Sequence, residues 1–220
     1  SKKLKYRKTK IIYCPPYTLL NSFSKIINKT PLDLGAQNCH DNEIYGPYTG
    51  SVSSYMIKSV GAKYVIIGHS ENRKAGESNF MINKKILSAL NQKLKVIFCI
   101  GETLNDKKKH KTNKVLKKQI NEGLKSIKNL NNIIIAYEPV WCIGTGIIPK
   151  SSDLKNNLVK IKKIINSNFM SKDTKIIYGG SVNPKNVVQL NKISEIKGFL
   201  IGSASQNTNK FIDIIKKSII

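Results

Sequence analysis

Short runs of apolar, mostly β-branched residues recur along the whole chain. Each run ends at a glycine, a proline or a group of polar residues, which is typical of strands bounded by turns. The pattern predicts seven strands, at residues 11–14, 32–36, 64–68, 96–100, 133–137, 176–178 and 199–201.

The segments between these runs have the apolar spacing of helices. In residues 153–165, Leu154, Leu158, Ile161 and Ile165 recur at three- and four-residue intervals and therefore lie on one helix face. Pro184 follows Asn183 and predicts a helix that begins at that point. The apolar spacing predicts helices at residues 79–90, 112–127, 153–165 and 210–219.

Strands that alternate with helices indicate a parallel sheet, and strands apolar on both faces fit a sheet that is covered on both sides. A doubly wound open sheet and a (β/α)8 barrel both have this pattern. The chain contains neither a Gly-x-Gly-x-x-Gly fingerprint nor a Walker phosphate loop, which favours the barrel. No linker or composition break divides residues 1–220, so we expect a single domain.

The net charge of +25 is the most unusual feature of the composition. A basic surface can bind nucleic acid, but only Arg7 and Arg73 are arginines, and arginine is the preferred reader of phosphates and bases. The lysines are spread along the chain, and lysine, asparagine and isoleucine are all encoded by AT-rich codons. We therefore expect genome composition to explain the charge, and no nucleic-acid partner.

The same sequence predicts a cytoplasmic protein without a membrane partner. No apolar run approaches the ~18–20 residues of a membrane-spanning helix, and the basic residues 1–10 are not followed by a signal-peptide core. Four widely spaced cysteines indicate reduced thiols and no metal site. They are Cys14, Cys39, Cys99 and Cys142.

Polar residues and glycines collect where the predicted strands end, which is where a parallel barrel carries its functional groups. The set contains an imidazole, a candidate base and three glycine-rich turns whose N–H groups can cradle a phosphate. A small phosphorylated substrate is the interpretation that needs fewest assumptions. The residues are Gln37-Asn38, His69-Ser70-Glu71, Gly101-Glu102-Thr103, Glu138-Pro139, Gly179-Gly180-Ser181 and Gly202-Ser203.

Five strings at these positions carry a family resemblance. They are GAQN at 35–38, IIGHSE at 66–71, CIGET at 99–103, AYEPVWCIGTG at 136–146 and YGGSV at 178–182. In order and spacing the chain resembles triosephosphate isomerases from Ile11 to its C-terminus. The resemblance implies a (β/α)8 barrel that interconverts dihydroxyacetone phosphate and D-glyceraldehyde 3-phosphate through an enediolate, in glycolysis and gluconeogenesis, without a cofactor.

The resemblance also implies roles for two residues. Glu138 would be the base that moves a proton between two substrate carbons, since a carboxylate withdrawn from water gains basicity. His69 would be the neutral electrophile that polarises the carbonyl group, as in this class of enzyme generally. Taken alone, Glu138 could be a surface carboxylate and His69 a structural histidine at a strand end.

Further residues of the resemblance surround this pair. Residues 139–145 resemble the start of a mobile lid. The apolar side chains of Trp141 and Ile143 would exclude water beneath it. Gly144 and Gly146 would allow its backbone to change conformation. Tyr178 and Ser181 would hold the lid shut, and Asn38, Glu71 and Cys99 would position the catalytic pair. Packing at turns is the alternative explanation for Gly179, Gly180 and Gly202. The backbone N–H groups implied to bind the substrate phosphate belong to Gly144, Ser181, Gly202 and Ser203.

The largest departure from the family is an absent first βα unit, whose strand carries a Gly-Asn-Trp-Lys motif. In the family, the lysine of that motif neutralises the charge of the phosphate and of the enediolate. A barrel of this type typically needs ~250 residues, whereas this chain has 220. Three explanations are open: the sequence is a piece of a longer chain, the unit comes from elsewhere, or the protein is decayed. We favour the first explanation because the catalytic strings are intact. The alternative function is that of a catalytically impaired barrel remnant with a binding or structural role.

Smaller departures concern assembly and the lid. The resemblance implies a homodimer whose interdigitating loop is residues 39–48. Ser51 and Asn72 both stand where the family has partners of a charge pair near that interface, which is consistent with loss of both charges together. The lid continues as Ile147-Ile148-Pro149 and is more apolar than usual.

Overall fold

The computed structural model describes residues 9–219 with the exception of Glu43 and Lys172. Two compact units divide the chain. The first is Ser1–Phe98 with Glu122–Ile127, and the second is Cys99–Asn121 with Lys128–Ile220. The prediction of one domain over residues 1–220 stays a prediction.

The first unit contains a parallel sheet in which each strand pairs with the next one along the chain. Ile12 lies opposite Asp33, Gly35 opposite Tyr64, and Tyr64 opposite Lys95. Every residue of the second and third strands is buried, as expected for strands covered on both faces. The strands are β1 (Ile12–Tyr13), β2 (Asp33–Ala36), β3 (Tyr64–Ile67) and β4 (Lys95–Ile100), whose last two residues belong to the second unit.

Helices connect these strands, and serine side chains start two of them. Ser53 accepts a hydrogen bond from Met56 N, and Ser78 accepts one from Met81 N, so each satisfies a backbone N–H group in a first helical turn. The helices of this unit are α1 (Leu20–Ile27), α2 (Ser54–Ser59), α3 (Ser70–Lys74) and α4 (Asn79–Asn91).

The second unit has a parallel pair, β5 (Ile133–Tyr137) and β6 (Ile176–Tyr178), in which Tyr137 lies opposite Tyr178. The longest of its helices is α7 (Ser151–Asn168), and the four residues predicted to share its apolar face are all buried. The other helices are α5 (Leu104–Lys108), α6 (Thr112–Gly123), which ends within the first unit, α8 (Val187–Asn191) and α9 (Thr208–Ser218).

Three predicted elements differ clearly from the structure. The predicted strand at 199–201 is a single parallel bridge between Phe199 and Tyr178, in a segment flanked by Gly198 and Gly202. The helix predicted for 112–127 ends at Gly123, after which successive turns replace the helical pattern.

The helix predicted at Pro184 begins instead at Val187. The Asn183 side chain accepts hydrogen bonds from Lys185 N and Asn186 N, at 2.9 and 3.2 Å. These bonds fold residues 183–186 into a turn, so that the helix begins later than predicted.

Within the described ranges no helix combines the length and the apolarity needed to cross a bilayer. All four cysteines are free thiols.

Candidate active site

In the first unit, His69 follows β3 and is the N-cap residue of α3. Its Nδ1 accepts a hydrogen bond from Glu71 N at 3.4 Å, whereas the Glu71 carboxylate oxygen Oε2 is 3.8 Å away. A ring nitrogen that accepts an N–H bond carries no proton, so the neutral ring is assigned its proton on Nε2. The imidazole is one-quarter exposed.

Glu71 contacts His69 through its backbone, because its side chain is 84% exposed. The carboxylate expected to position the catalytic pair therefore extends into solvent. The part of Glu71 that orients the imidazole is its amide N–H, which any residue other than proline could supply.

Asn38 is held by an ion pair that the sequence analysis missed. Its Nδ2 donates to Glu77 Oε1 at 3.1 Å, and its Oδ1 accepts from Lys85 Nζ at 3.2 Å. Glu77 and Lys85 also contact each other directly, and their side chains are only 11% and 9% exposed. A lysine on the apolar face of α4 was the available signal, since a buried lysine requires an anionic partner.

In the second unit, Glu138 follows β5 and is 2% exposed. Its backbone N donates to Ile100 O at 2.8 Å. A Cβ atom built on Gly101 would lie 1.7 Å from Glu138 O, and one built on Gly179 would lie 2.7 Å from Glu138 Cγ. Gly101 therefore leaves room for the backbone carbonyl of Glu138 and Gly179 leaves room for its side chain. Cys99 is buried in the strand that leads to Gly101.

Ser181 joins two points of the predicted lid. Its Oγ donates to Cys142 O at 2.6 Å and accepts from Gly146 N at 3.1 Å. Between these points Gly144 is exposed and has a φ of +69°, and Gly146 has a φ of +74°. Both values favour glycine, in keeping with the backbone freedom expected of a lid.

Tyr178 was expected to share this contact with Ser181. Its hydroxyl is buried and makes no hydrogen bond within the part of the chain that the structure describes. Burial, together with the nearby Cys142 thiol, raises the pKa of Tyr178, so the phenol stays neutral. Burial likewise raises the pKa of Cys142 to about 12.

Glu102 is a buried carboxylate to which the sequence analysis gave no role. It is 1% exposed and accepts hydrogen bonds from Trp141 Nε1 and from the Tyr137 hydroxyl, each at 3.0 Å. The Tyr137 oxygen in turn accepts from Asn157 Nδ2 at 2.9 Å. Burial raises the pKa of Glu102, and the bonds from Trp141 and Tyr137 oppose that shift. The available signal was its position directly after Gly101 at a strand end.

The last predicted binding residues are Gly202 and Ser203, both exposed. Ser203 begins a short 3-10 helix, Ser203–Gln206. Within this helix, Ser205 Oγ donates a hydrogen bond to Gly202 O at 2.7 Å. A Cβ atom on Gly202 would meet nothing within 4 Å, whereas one on Gly180 would lie 2.1 Å from the Tyr178 hydroxyl oxygen. Packing therefore accounts for Gly179 and Gly180 but gives no reason for Gly202.

No three His, Cys, Asp or Glu side chains among the described residues gather closely enough to hold a metal ion.

Parallel strands that alternate with helices, with the polar groups at the carboxyl ends of the strands, define a parallel α/β enzyme. The sequence profile of the triosephosphate isomerase family matches residues 1–218, beginning ten residues before Ile11, where the resemblance in the sequence starts. The chain belongs to the triosephosphate isomerase family.

Individual relatives agree with this assignment. The triosephosphate isomerase of Dictyoglomus thermophilum is 44% identical over 217 residues, which are 96% of this chain and 87% of that protein. That of Leptospira interrogans is 41% identical over 216 residues, covering 94% and 86% of the two chains. The crystal structure of the Bartonella henselae triosephosphate isomerase matches with a TM-score of 0.89 at 36% identity, covering 96% of this chain and 87% of that one. The predicted barrel class is confirmed, and the relatives are longer than the 220 residues.

Proposed function

We propose that this protein interconverts dihydroxyacetone phosphate and D-glyceraldehyde 3-phosphate as a triosephosphate isomerase. The observation that supports this most strongly is Glu138, a residue 2% exposed whose carbonyl oxygen lies close to Gly101 and whose Cγ lies close to Gly179, so that a Cβ atom at either glycine would displace it. A base that must remove a proton from one particular carbon requires a fixed position, because small errors of position slow proton transfer steeply.

The proposed reaction moves one proton between two carbons and one proton between two oxygens, and it leaves the oxidation state of the molecule unchanged. Glu138 removes the proton from the carbon next to the carbonyl group, and the electron pair of the C–H bond moves toward the carbonyl oxygen to form an enediolate. His69, through its Nε2–H, stabilises the charge on that oxygen and transfers a proton between the two oxygens. Glu138 then returns its proton to the neighbouring carbon.

The phosphate of the substrate is proposed to bind to the backbone N–H groups of Gly144, Ser181, Gly202 and Ser203. The open space beside Gly202 supports this, since it lets a ligand approach the main chain. The bonds of Ser181 to Cys142 and Gly146 would keep the lid over the bound substrate and exclude water from the enediolate. The reaction requires no cofactor and no metal ion.

We also propose a cytoplasmic homodimer that binds neither nucleic acid nor membrane. The expected dimer loop, residues 39–48, carries three large exposed side chains, since Ile44, Tyr45 and Tyr48 are 52%, 72% and 42% exposed. A second aromatic residue, Tyr55, contacts Tyr45 edge to face with ring centroids 6.2 Å apart. Adjacent exposed apolar side chains of this kind support a protein interface at this loop.

The test is isomerisation of glyceraldehyde 3-phosphate. The 220 residues contain no Gly-Asn-Trp-Lys motif, so the assay uses two forms: the chain alone, and the chain joined to a βα unit with that motif. The variants described below are compared in the more active of these two forms. We expect the joined form to turn over much faster, since a cation near the enediolate is worth several kcal/mol. A joined form whose added lysine is changed to methionine should fold but turn over slowly.

Isomerisation by neither form, with cooperative melting of both, would contradict the proposal and favour the impaired remnant. Equal, rapid turnover by both forms would support the activity but show that another group supplies the charge.

A further inference from the structure

Trp141 is the only tryptophan of the sequence and lies in the lid, within the 3-10 turn Val140–Cys142. Two different groups contact its half-buried indole. The ring N–H donates to Glu102, and the Lys107 ammonium nitrogen lies over the ring face, 3.6 Å from the centroid. A cation within ~6 Å of an indole centroid is attracted by the ring, and the attraction grows as the pair is withdrawn from water.

The sequence places these two groups by one local device. Directly after Glu102, Thr103 and Asp106 form a capping box in which each side chain accepts a hydrogen bond from the other's backbone N–H. The box starts α5 at Leu104, and Lys107 lies in the last turn of this five-residue helix. The short segment 102–107 therefore supplies both the carboxylate that accepts the indole N–H bond and the ammonium that covers the ring.

The charges of the cluster reinforce each other. Burial raises the pKa of the Glu102 carboxyl, and the hydrogen bonds from Trp141 and Tyr137 and, more weakly, the charge of Lys107 oppose that shift. An ionised Glu102 accepts stronger hydrogen bonds from Trp141 and Tyr137 than a neutral carboxyl would. Lys107 thus contacts the lid residue on its ring face, while Glu102 accepts the hydrogen bond from its ring edge.

We propose that Lys107 is a positioning residue for the lid, and that its ammonium fixes the Trp141 ring in the arrangement that Ser181 and Glu102 complete. It acts through Trp141 and does not touch the substrate. This inference rests on the proposed function, because the lid has a role only if a substrate is enclosed beneath it.

The test compares Lys107→Met, which keeps the length of the side chain and removes its charge, with Lys107→Arg, which keeps the charge. Lys108→Met is the matched control, since Lys108 is an exposed lysine of the same helix. Trp141 reports directly on its own environment through its fluorescence emission maximum and its quenching by acrylamide. Both are measured with and without sn-glycerol 3-phosphate, a substrate analogue that has no carbonyl group and therefore cannot form an enediolate. Turnover and KM are measured in parallel.

We expect Lys107→Met to shift the Trp141 emission, increase its quenching and lower kcat about fivefold with KM nearly unchanged, as the loss of one partly buried cation–π contact predicts. Lys107→Arg should restore both the emission and the turnover, and Lys108→Met should change neither. A purely structural role would lower the melting temperature without this separation of kcat from KM.

Two outcomes overturn the inference, and they differ in what they leave standing. If Lys107→Met matches the parent in emission, quenching and turnover while the parent is active, Lys107 does not position the lid and the proposed function stands. If the parent neither isomerises glyceraldehyde 3-phosphate nor changes its Trp141 emission with sn-glycerol 3-phosphate, the proposed function fails and the role of Lys107 fails with it.

Discussion

The position of Glu138 depends on the absence of a single methyl group at residue 179. A Cβ there would lie 2.7 Å from Glu138 Cγ and 3.2 Å from its Oε1. We expect Gly179→Ala to move the carboxylate and lower kcat by about 10- to 100-fold, because a displacement of about 1 Å is costly for proton transfer. Steady-state kinetics measure the effect, and thermal melting checks the fold.

Gly202→Ala is the matched comparison, since its Cβ would meet no atom within 4 Å. Gly202 belongs to the proposed phosphate site, so a methyl group there should hinder phosphate binding, and we expect KM to rise more than kcat falls. Unchanged kcat in Gly179→Ala, with a normal melting temperature, would remove the main support for Glu138 as the base.

At single residues, the sequence predicted position better than partners. His69 and Glu138 follow strands, as predicted, because a parallel strand with a turn after it fixes where the next side chain lies, while their catalytic roles stay predictions. The Glu77–Lys85 pair and the Glu102 cluster did not follow, since each joins residues from separate elements. Only the packed chain brings such partners within hydrogen-bond distance.

At the scale of elements, the lid depends on one serine. Ser181 Oγ both donates to Cys142 O and accepts from Gly146 N, so one hydroxyl closes both ends of a five-residue segment. Ser181→Ala should lower kcat/KM by about 5- to 30-fold, from the loss of two hydrogen bonds worth about 1 kcal/mol each.

Enzyme kinetics at saturating and limiting substrate test this expectation. Ser167→Ala is the control, because its hydroxyl bonds only to the Lys163 carbonyl of its own helix and is exposed. If Ser181→Ala turned over like the control, the two bonds would have no part in catalysis.

The elements themselves were predicted with uneven success for a physical reason. Long, periodic segments such as α7 bury a whole apolar face, so their sequence records the structure strongly. Residues 199–201 have the composition of a strand, but flanking glycines leave them only one paired residue. The start of α8 was set by the Asn183 side chain, which competes with the helix for backbone N–H groups.

At the scale of the whole molecule, the net charge of +25 allows a direct test of partners. If the charge reflects genome composition, binding to duplex DNA should be weak, independent of sequence, and lost steeply between about 50 and 200 mM salt. Fluorescence anisotropy with two unrelated duplexes measures both properties. Tight, sequence-selective binding at physiological salt would mean that the basic surface is functional.

The central claim is that Glu138 transfers a proton between two carbons of a triose phosphate. The most direct measurement follows glyceraldehyde 3-phosphate in D2O by proton NMR, for the parent protein and for Glu138→Asp. The parent should form dihydroxyacetone phosphate of which a fraction carries one deuterium at the carbon that receives the proton, because a carboxylic acid exchanges with solvent. Glu138→Asp withdraws the carboxylate by about one C–C bond and should slow conversion about 100-fold or more at an unchanged melting temperature. Conversion by the variant at nearly the parent rate would contradict the account.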